Sequence, residues 1–211
     1  MRNTRLALVA AAAVLAAALP ASAQGIDVHA DGGYHSLSAT ESAKAVFDTS
    51  GGPTFGGGIG YRFGSGLYVE AGARTFSRSG ERVFVASAGS PVFKLGFPLD
   101  IKITPVFGTV GWRFMPNSLA RPYVGAGGGM ASFKEESTVA GELTSTSQSK
   151  AEFHGVVGVE LGRGRFRVSA EGVYSSIPNA IGISGVSKVY GENDLGGFSI
   201  LARLTFTTSR R

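Results

Sequence analysis

Apolar side chains recur at every second position through most of the chain. Val106, Val110, Trp112 and Phe114 share one parity, as do Val124, Ala126 and Met130, and Phe153, Val157, Val159 and Leu161. The same period runs through Ile26, Val28 and Tyr34; Phe55, Ile59, Tyr61 and Phe63; and Leu67, Val69, Ala71 and Ala73. It returns in Phe166, Val168, Ala170 and Tyr174, and in Phe198, Ile200, Ala202, Leu204 and Phe206. A period of two is that of a strand, and valine, threonine and aromatic residues suit a pleated surface. The pattern predicts eight strands, approximately 26–36, 54–63, 67–78, 101–114, 122–134, 152–161, 165–175 and 195–207, with no helical period competing.

The connections alternate in length. Those at Gly64–Gly66, Met115–Arg121 and Gly162–Gly164 are short. Those at about Leu37–Pro53, Ser79–Asp100, Glu135–Ala151 and Ser176–Asp194 are long. An even number of strands, with short turns at one end and long loops at the other, predicts an all-β fold. It is an eight-stranded antiparallel up-and-down transmembrane barrel whose termini share the short-turn, periplasmic end.

The opposite parity is polar. It carries Asp27, Asp31, Arg62, Glu70, Arg74, Arg113, Glu160, Arg167, Glu171 and Arg203, together with His29 and His154. Alternation alone also fits a secreted barrel with an apolar inside. Three features place the apolar face against lipid. No lysine lies mid-strand on the polar parity, although a solvated face uses lysine freely. Arginines and carboxylates are balanced there, as charges must be in a confined interior. Tyr61, Phe63, Trp112, Phe114, Phe166 and Phe206 gather near the short-turn end, where an aromatic girdle belongs. The polar residues are therefore expected to form an interior network.

The segment Gly125-Ala-Gly-Gly-Gly129 invites a phosphate-loop reading, which its spacing refuses. The dinucleotide fingerprint wants its third glycine at Met130, and no helix signal follows. Gly56, Gly58, Gly60, Gly125, Gly127 and Gly129 fall on the polar parity instead. They are expected to leave room for long interior side chains and to permit the coiling that closure needs.

The chain opens with Arg2 and Arg5, an apolar run from Leu6 to Leu19, and Ala21-Ser22-Ala23. This is the pattern of a cleaved signal peptide over residues 1–23, leaving one barrel domain over residues 24–211. Without Arg2 and Arg5 the chain has 18 basic and 15 acidic residues, which gives no support to nucleic-acid binding. There is no cysteine, and no other apolar run is long enough for a membrane helix.

With the signal peptide, the stretches "PYVGAGGG", "GGGIGYRF", "GVVGVELG" and "FSILARLTF" resemble the eight-stranded outer-membrane barrels of the OmpA and opacity-protein type. The resemblance spans about Gly25 to Phe206 and implies an outer-membrane location. Such barrels include adhesins and membrane-stabilising proteins. No peptidoglycan-binding domain follows the barrel, so the anchoring role of the two-domain members is not implied.

Candidate chemistry is sparse. His35 and Ser36 are adjacent, and neighbours in a strand point to opposite faces, so they do not make a nucleophile–base pair. No metal cluster of recognised spacing appears. No cofactor and no enzymatic activity are expected. In the third connection, Arg82–Ser87 and Pro91–Phe97 are apolar for a surface loop and read as a hairpin turning near Ala88–Pro91. Phe84, Phe93 and Phe97 are its candidate contact surface; packing within the hairpin is the alternative.

Two functions compete: a closed monomeric barrel whose long loops bind, adhere or maintain the envelope, and a narrow passage for small solutes. A lipid A-modifying enzyme is a distant third. The expected partners are outer-membrane lipid, lipopolysaccharide and an extracellular ligand.

Overall fold

The computed structural model describes residues 25–139, 141–180 and 185–208. The expected signal peptide, residues 1–23, lies outside them. The strands are β1 (Gly25–Leu37), β2 (Gly51–Arg62), β3 (Leu67–Phe84), β4 (Phe93–Arg113), β5 (Ala120–Val139), β6 (Glu142–Leu161), β7 (Phe166–Ser176) and β8 (Gly197–Thr207). Each pairs antiparallel with the next, and β1 pairs with β8 to close the barrel. Closure leaves no sheet edge at membrane depth.

The alternating faces fall as the pattern predicts. In β8 every odd residue from Gly197 to Thr207 is buried and every even one exposed. Ile26, Val28, Ile59, Val106, Val110, Trp112, Val124, Met130, Val157, Phe166, Ile200 and Leu204 all stand on the outside. Phe63 departs from this. It is 7 % exposed, and its backbone N–H bonds to the Leu67 carbonyl to close the turn. Its ring packs edge-on against Tyr61, its neighbour in the expected girdle, and is covered there.

The long-loop end is more ordered than the sequence suggests. The third connection is the expected hairpin, extending β3 and β4 to the Phe84–Phe93 pair. The fifth, expected as a loop, is also a hairpin. Its serines and threonines alternate, and β5 and β6 stay paired up to Val139 and Glu142. The first connection contains helix α1 (Thr40–Phe47) and the seventh a short helix α2 (Val186–Tyr190). In α1 Glu41 and Lys44 face outward while Ala43, Val46 and Phe47 are buried. This amphipathic period is too short to stand out from its surroundings.

Both patterns invert at this end. Inside β4 and β5 the polar positions give way to Leu99, Ile101, Ile103, Ala131 and Phe133. Outside, the apolar positions give way to Asp100, Lys102, Ser132 and Lys134. Val46 and Phe47 of α1, with Phe76, Ile177 and Leu195, complete a buried apolar cluster across the barrel mouth. Each large side chain fully buried there contributes about 1.5–3 kcal/mol. The cap is a core in its own right.

Candidate functional site: the barrel interior and its cap

Strands pointing inward at one height bring distant residues together. At the short-turn end Asp27 of β1 accepts from Arg62 (3.0 Å), Arg113 (3.1 Å) and Arg167 (2.7 Å). Thr207 of β8 also donates to it at 2.6 Å. Glu160 of β6, 1 % exposed, pairs with Arg121 (2.8 Å), Arg167 (3.4 Å) and Arg113 (3.8 Å). Arg121 also donates to the Gly162 carbonyl (2.7 Å) and so ties two turns together. One level up, Arg203 lies between Glu70 (2.9 Å) and Glu171 (2.8 Å), and the Tyr123 hydroxyl donates to Glu171. Above that, Asp31 pairs with Arg74 at 3.1 Å.

All ten charged residues expected inside lie in this network. Arg121, Tyr68, Tyr123, Thr109, Glu152 and Thr207 join them. Arg121 escapes the sequence reading because it stands beside turn residues. Tyr68 and Tyr123 share the parity of Glu70, Arg113 and Glu171, which is the signal that places them inside.

The inward glycines face the bulkiest of these side chains. A Cβ on Gly125 would lie 2.5 Å from the Tyr68 hydroxyl, and one on Gly158 would lie 2.6 Å from the Tyr123 ring. On Gly56 it would meet the Ala73 carbonyl at 2.7 Å and the Arg74 side chain at 2.8 Å, and on Gly127 the Gly108 carbonyl before the His154 ring at 2.8 Å. Gly129 serves the other expected purpose. There the obstacles are the Val106 carbonyl and the Phe107 Cα (2.7 Å), the backbone of the next strand in a tightly coiled sheet. The interior cavities found among the described residues are small. A cavity of about 10 Å³ lies among Asp27, Tyr68, Glu70 and Arg113, and one of about 30 Å³ lies beneath the cap among His35, Arg74, Phe76 and Glu152. Voids of this size hold a water molecule or two.

The histidines serve as struts. His35 Nδ1 bonds to Ser199 Oγ (2.8 Å), while Ser36 turns to Ser50. His154 joins Thr109 (2.8 Å) and Glu152 (3.1 Å) in the order hydroxyl, imidazole, carboxylate. That is the order of a catalytic triad, but Thr109 is 3 % exposed and faces the filled interior.

The cap is fastened from opposite sides. Glu192, in the connection before β8, accepts from the backbone N–H groups of Glu41 (3.0 Å) and Ser42 (2.9 Å) and from the Ser42 hydroxyl at the start of α1. A carboxylate there satisfies orphan donors and opposes the helix dipole favourably. At the other end of α1, Lys94 donates to Asp48 (2.8 Å), a hydrogen bond that raises the lysine pKa and ties the β3–β4 hairpin to the cap. On that hairpin Phe84 and Phe93 stand opposite each other, each 57 % exposed, with Leu95 exposed beside them. Phe97 is half-buried, so the candidate contact surface narrows to the first two.

Residues 7–165 match the model of the outer membrane protein beta-barrel domain. The chain belongs to that family. The barrel is accordingly an outer-membrane protein. Comparison with curated proteins found no match. Among solved structures the chain is similar to Neisserial surface protein A, at 16 % identity and a TM-score of 0.56, covering 86 % of this chain and 96 % of that one. It is also similar to a major outer membrane protein of Thermus thermophilus, at 10 % identity and a TM-score of 0.58, covering 88 % and 99 %. OprG of Pseudomonas aeruginosa gives 16 % identity and a TM-score of 0.52, covering 87 % and 96 %. These likenesses are to the fold.

Proposed function

We propose that the chain is a sealed, non-enzymatic barrel that holds a rigid platform outside the cell for surface binding or adhesion. The long-loop end faces outward and both termini face the periplasm. The observation that carries this reading is the cap. Helix α1, both hairpins and the last long connection enclose one apolar core over a filled interior. A passage for solutes would have to displace this core as well as the ion pairs below it. Thr109 and Glu152 of the hydroxyl–imidazole–carboxylate row are buried in the interior, which weighs against lipid A chemistry. The platform displays Phe84 and Phe93, and exposed aromatic residues of this kind anchor interfaces.

An adhesion assay tests the reading. Cells bearing the chain should attach to other cells or to protein-coated surfaces better than cells without it. Replacing Phe84 and Phe93 together with Ser should abolish most of the gain while leaving the barrel folded. Equal attachment with and without the chain would remove this function.

A further inference from the structure

The tip of the β3–β4 hairpin is built differently from the strands that carry it. Lower in β3 the odd-numbered residues Ala71, Ala73, Ser77 and Ser79 are the exposed ones. Between Glu81 and Val83 the register with β4 shifts, and Gly96 on the facing strand takes a φ of +73°. An irregularity of this kind re-aims the side chains beyond it. Above the shift Val83 and Val85 are buried in the apolar core of the cap, and Phe84 is exposed. Phe93, its register partner, is exposed with it, as are Val92 and Leu95.

The tip offers little polarity. No residue from Val83 to Phe93 carries a charge. The two serines of the turn bond each other, Ser87 Oγ to Ser90 Oγ at 2.8 Å, and the Ser90 N–H donates to the Ser87 carbonyl at 3.0 Å. A polar partner would find few side-chain donors or acceptors here, whereas hydrocarbon favours a chain whose polar groups are bonded internally. The first charges met below the tip are Arg82 on one strand and Lys94 on the other, both basic. Asp48 takes up Lys94 at 2.8 Å, with Glu81 nearby. No ion pair holds Arg82 among the described residues. An apolar tip above a basic collar matches the layers of a bilayer met end-on, phosphate first and hydrocarbon within.

The membrane that holds the barrel is out of reach. Ala73 pairs with Val106 at the top of the lipid-facing belt, and Phe84 lies eleven residues further along β3. At about 3.3 Å per residue and a tilt near 40°, the tip stands roughly 25–30 Å above the hydrocarbon. A headgroup layer is only about 5–8 Å thick.

We propose that Phe84, Val92, Phe93 and Leu95 insert into the hydrocarbon of a second lipid bilayer facing the cell, with Arg82 at its phosphates. The occupant is lipid, and the attachment needs no protein receptor. This names the partner of the display surface proposed above and rests on that reading and its outward loop end.

The full mature chain would be held in nanodiscs and mixed with separate vesicles of phosphatidylcholine and phosphatidylglycerol. The discs should float with the vesicles. Replacing Phe84 and Phe93 together with Ser should weaken this binding by about tenfold or more. Leu143→Ser, an exposed apolar residue near the tip of the β5–β6 hairpin, should leave it unchanged. Insertion is read with Phe84→Trp and vesicles whose acyl chains are brominated. The added indole should be quenched, while the natural chain, whose single tryptophan is Trp112 near the short-turn end, should keep its emission. No flotation of the natural chain, an equal loss in Leu143→Ser, or flotation without quenching of the added indole would overturn the insertion. Attachment of cells to protein-coated surfaces through Phe84 and Phe93, with no binding to vesicles, would overturn the lipid assignment and leave the display function with a protein partner. Orientation is read separately. The chain has no cysteine, so a Thr146→Cys variant treated with an impermeant thiol reagent on intact cells reports the loop end alone. Absence of labelling would overturn the display function, while the discs would still decide whether the tip enters lipid.

Discussion

At the scale of single residues, the interior is a fit between large side chains and missing ones. Tyr123 reaches Glu171 only because Gly158 on the neighbouring strand offers no Cβ. Gly158→Val should force the ring aside and destabilise the barrel by about 1–3 kcal/mol in urea titration, the usual cost of overpacking. Gly155→Val, on the outer face where the nearest atom would stand 4.0 Å away, is the control and should change stability little. The charges are held more strictly. Glu160→Ala would leave Arg121 and Arg167 facing an empty site, and breaking such a buried set typically costs about 3–5 kcal/mol. Glu136→Ala, on the surface, should change stability by under about 1 kcal/mol. Parity identified Glu70, Arg203 and the rest as inward from sequence alone. It did not say that Arg203 lies between two glutamates, because partners depend on register and stagger around the closed ring.

At the scale of elements, each long strand carries two opposed patterns. β4 is apolar outside from Val106 to Trp112 and polar inside at Thr109 and Arg113, then polar outside and apolar inside from Leu99 to Ile103. The first half is made for lipid and the second for water. Val157→Arg, on the lipid face of β6, should cost roughly 2–4 kcal/mol of folding into bilayers if it lies at the midplane, and Thr146→Arg near the hairpin tip almost nothing. Equal losses would contradict the assignment of faces. The strands were legible because alternation persists through them. The two helices were not, since α1 is 8 residues long and derives its stability from the core beneath and the carboxylate of Glu192. Glu192→Gln weakens that clasp without removing bulk. Hydrogen exchange of the α1 amides should quicken, and that of β8 should not. Unchanged exchange in α1 would show that packing alone holds the cap.

At the scale of the molecule, two different fillings close the tube. Ion pairs occupy the membrane-level interior, and an apolar core with α1 occupies the mouth. Loss of one charge leaves the other filling in place, so Glu171→Ala should lower stability more than it changes permeability. The two fillings underlie the proposed display function, and sequence could supply only the first of them, because α1 and the last connection read as loops and only the β3–β4 hairpin of the cap was expected. Conductance tests the claim most directly. The purified chain, inserted into a planar bilayer, should show a flat baseline, and Glu171→Ala should leave that baseline flat. Stable, frequent openings of the natural chain, with an ion selectivity altered by Glu171→Ala, would contradict the sealed barrel and make it a passage.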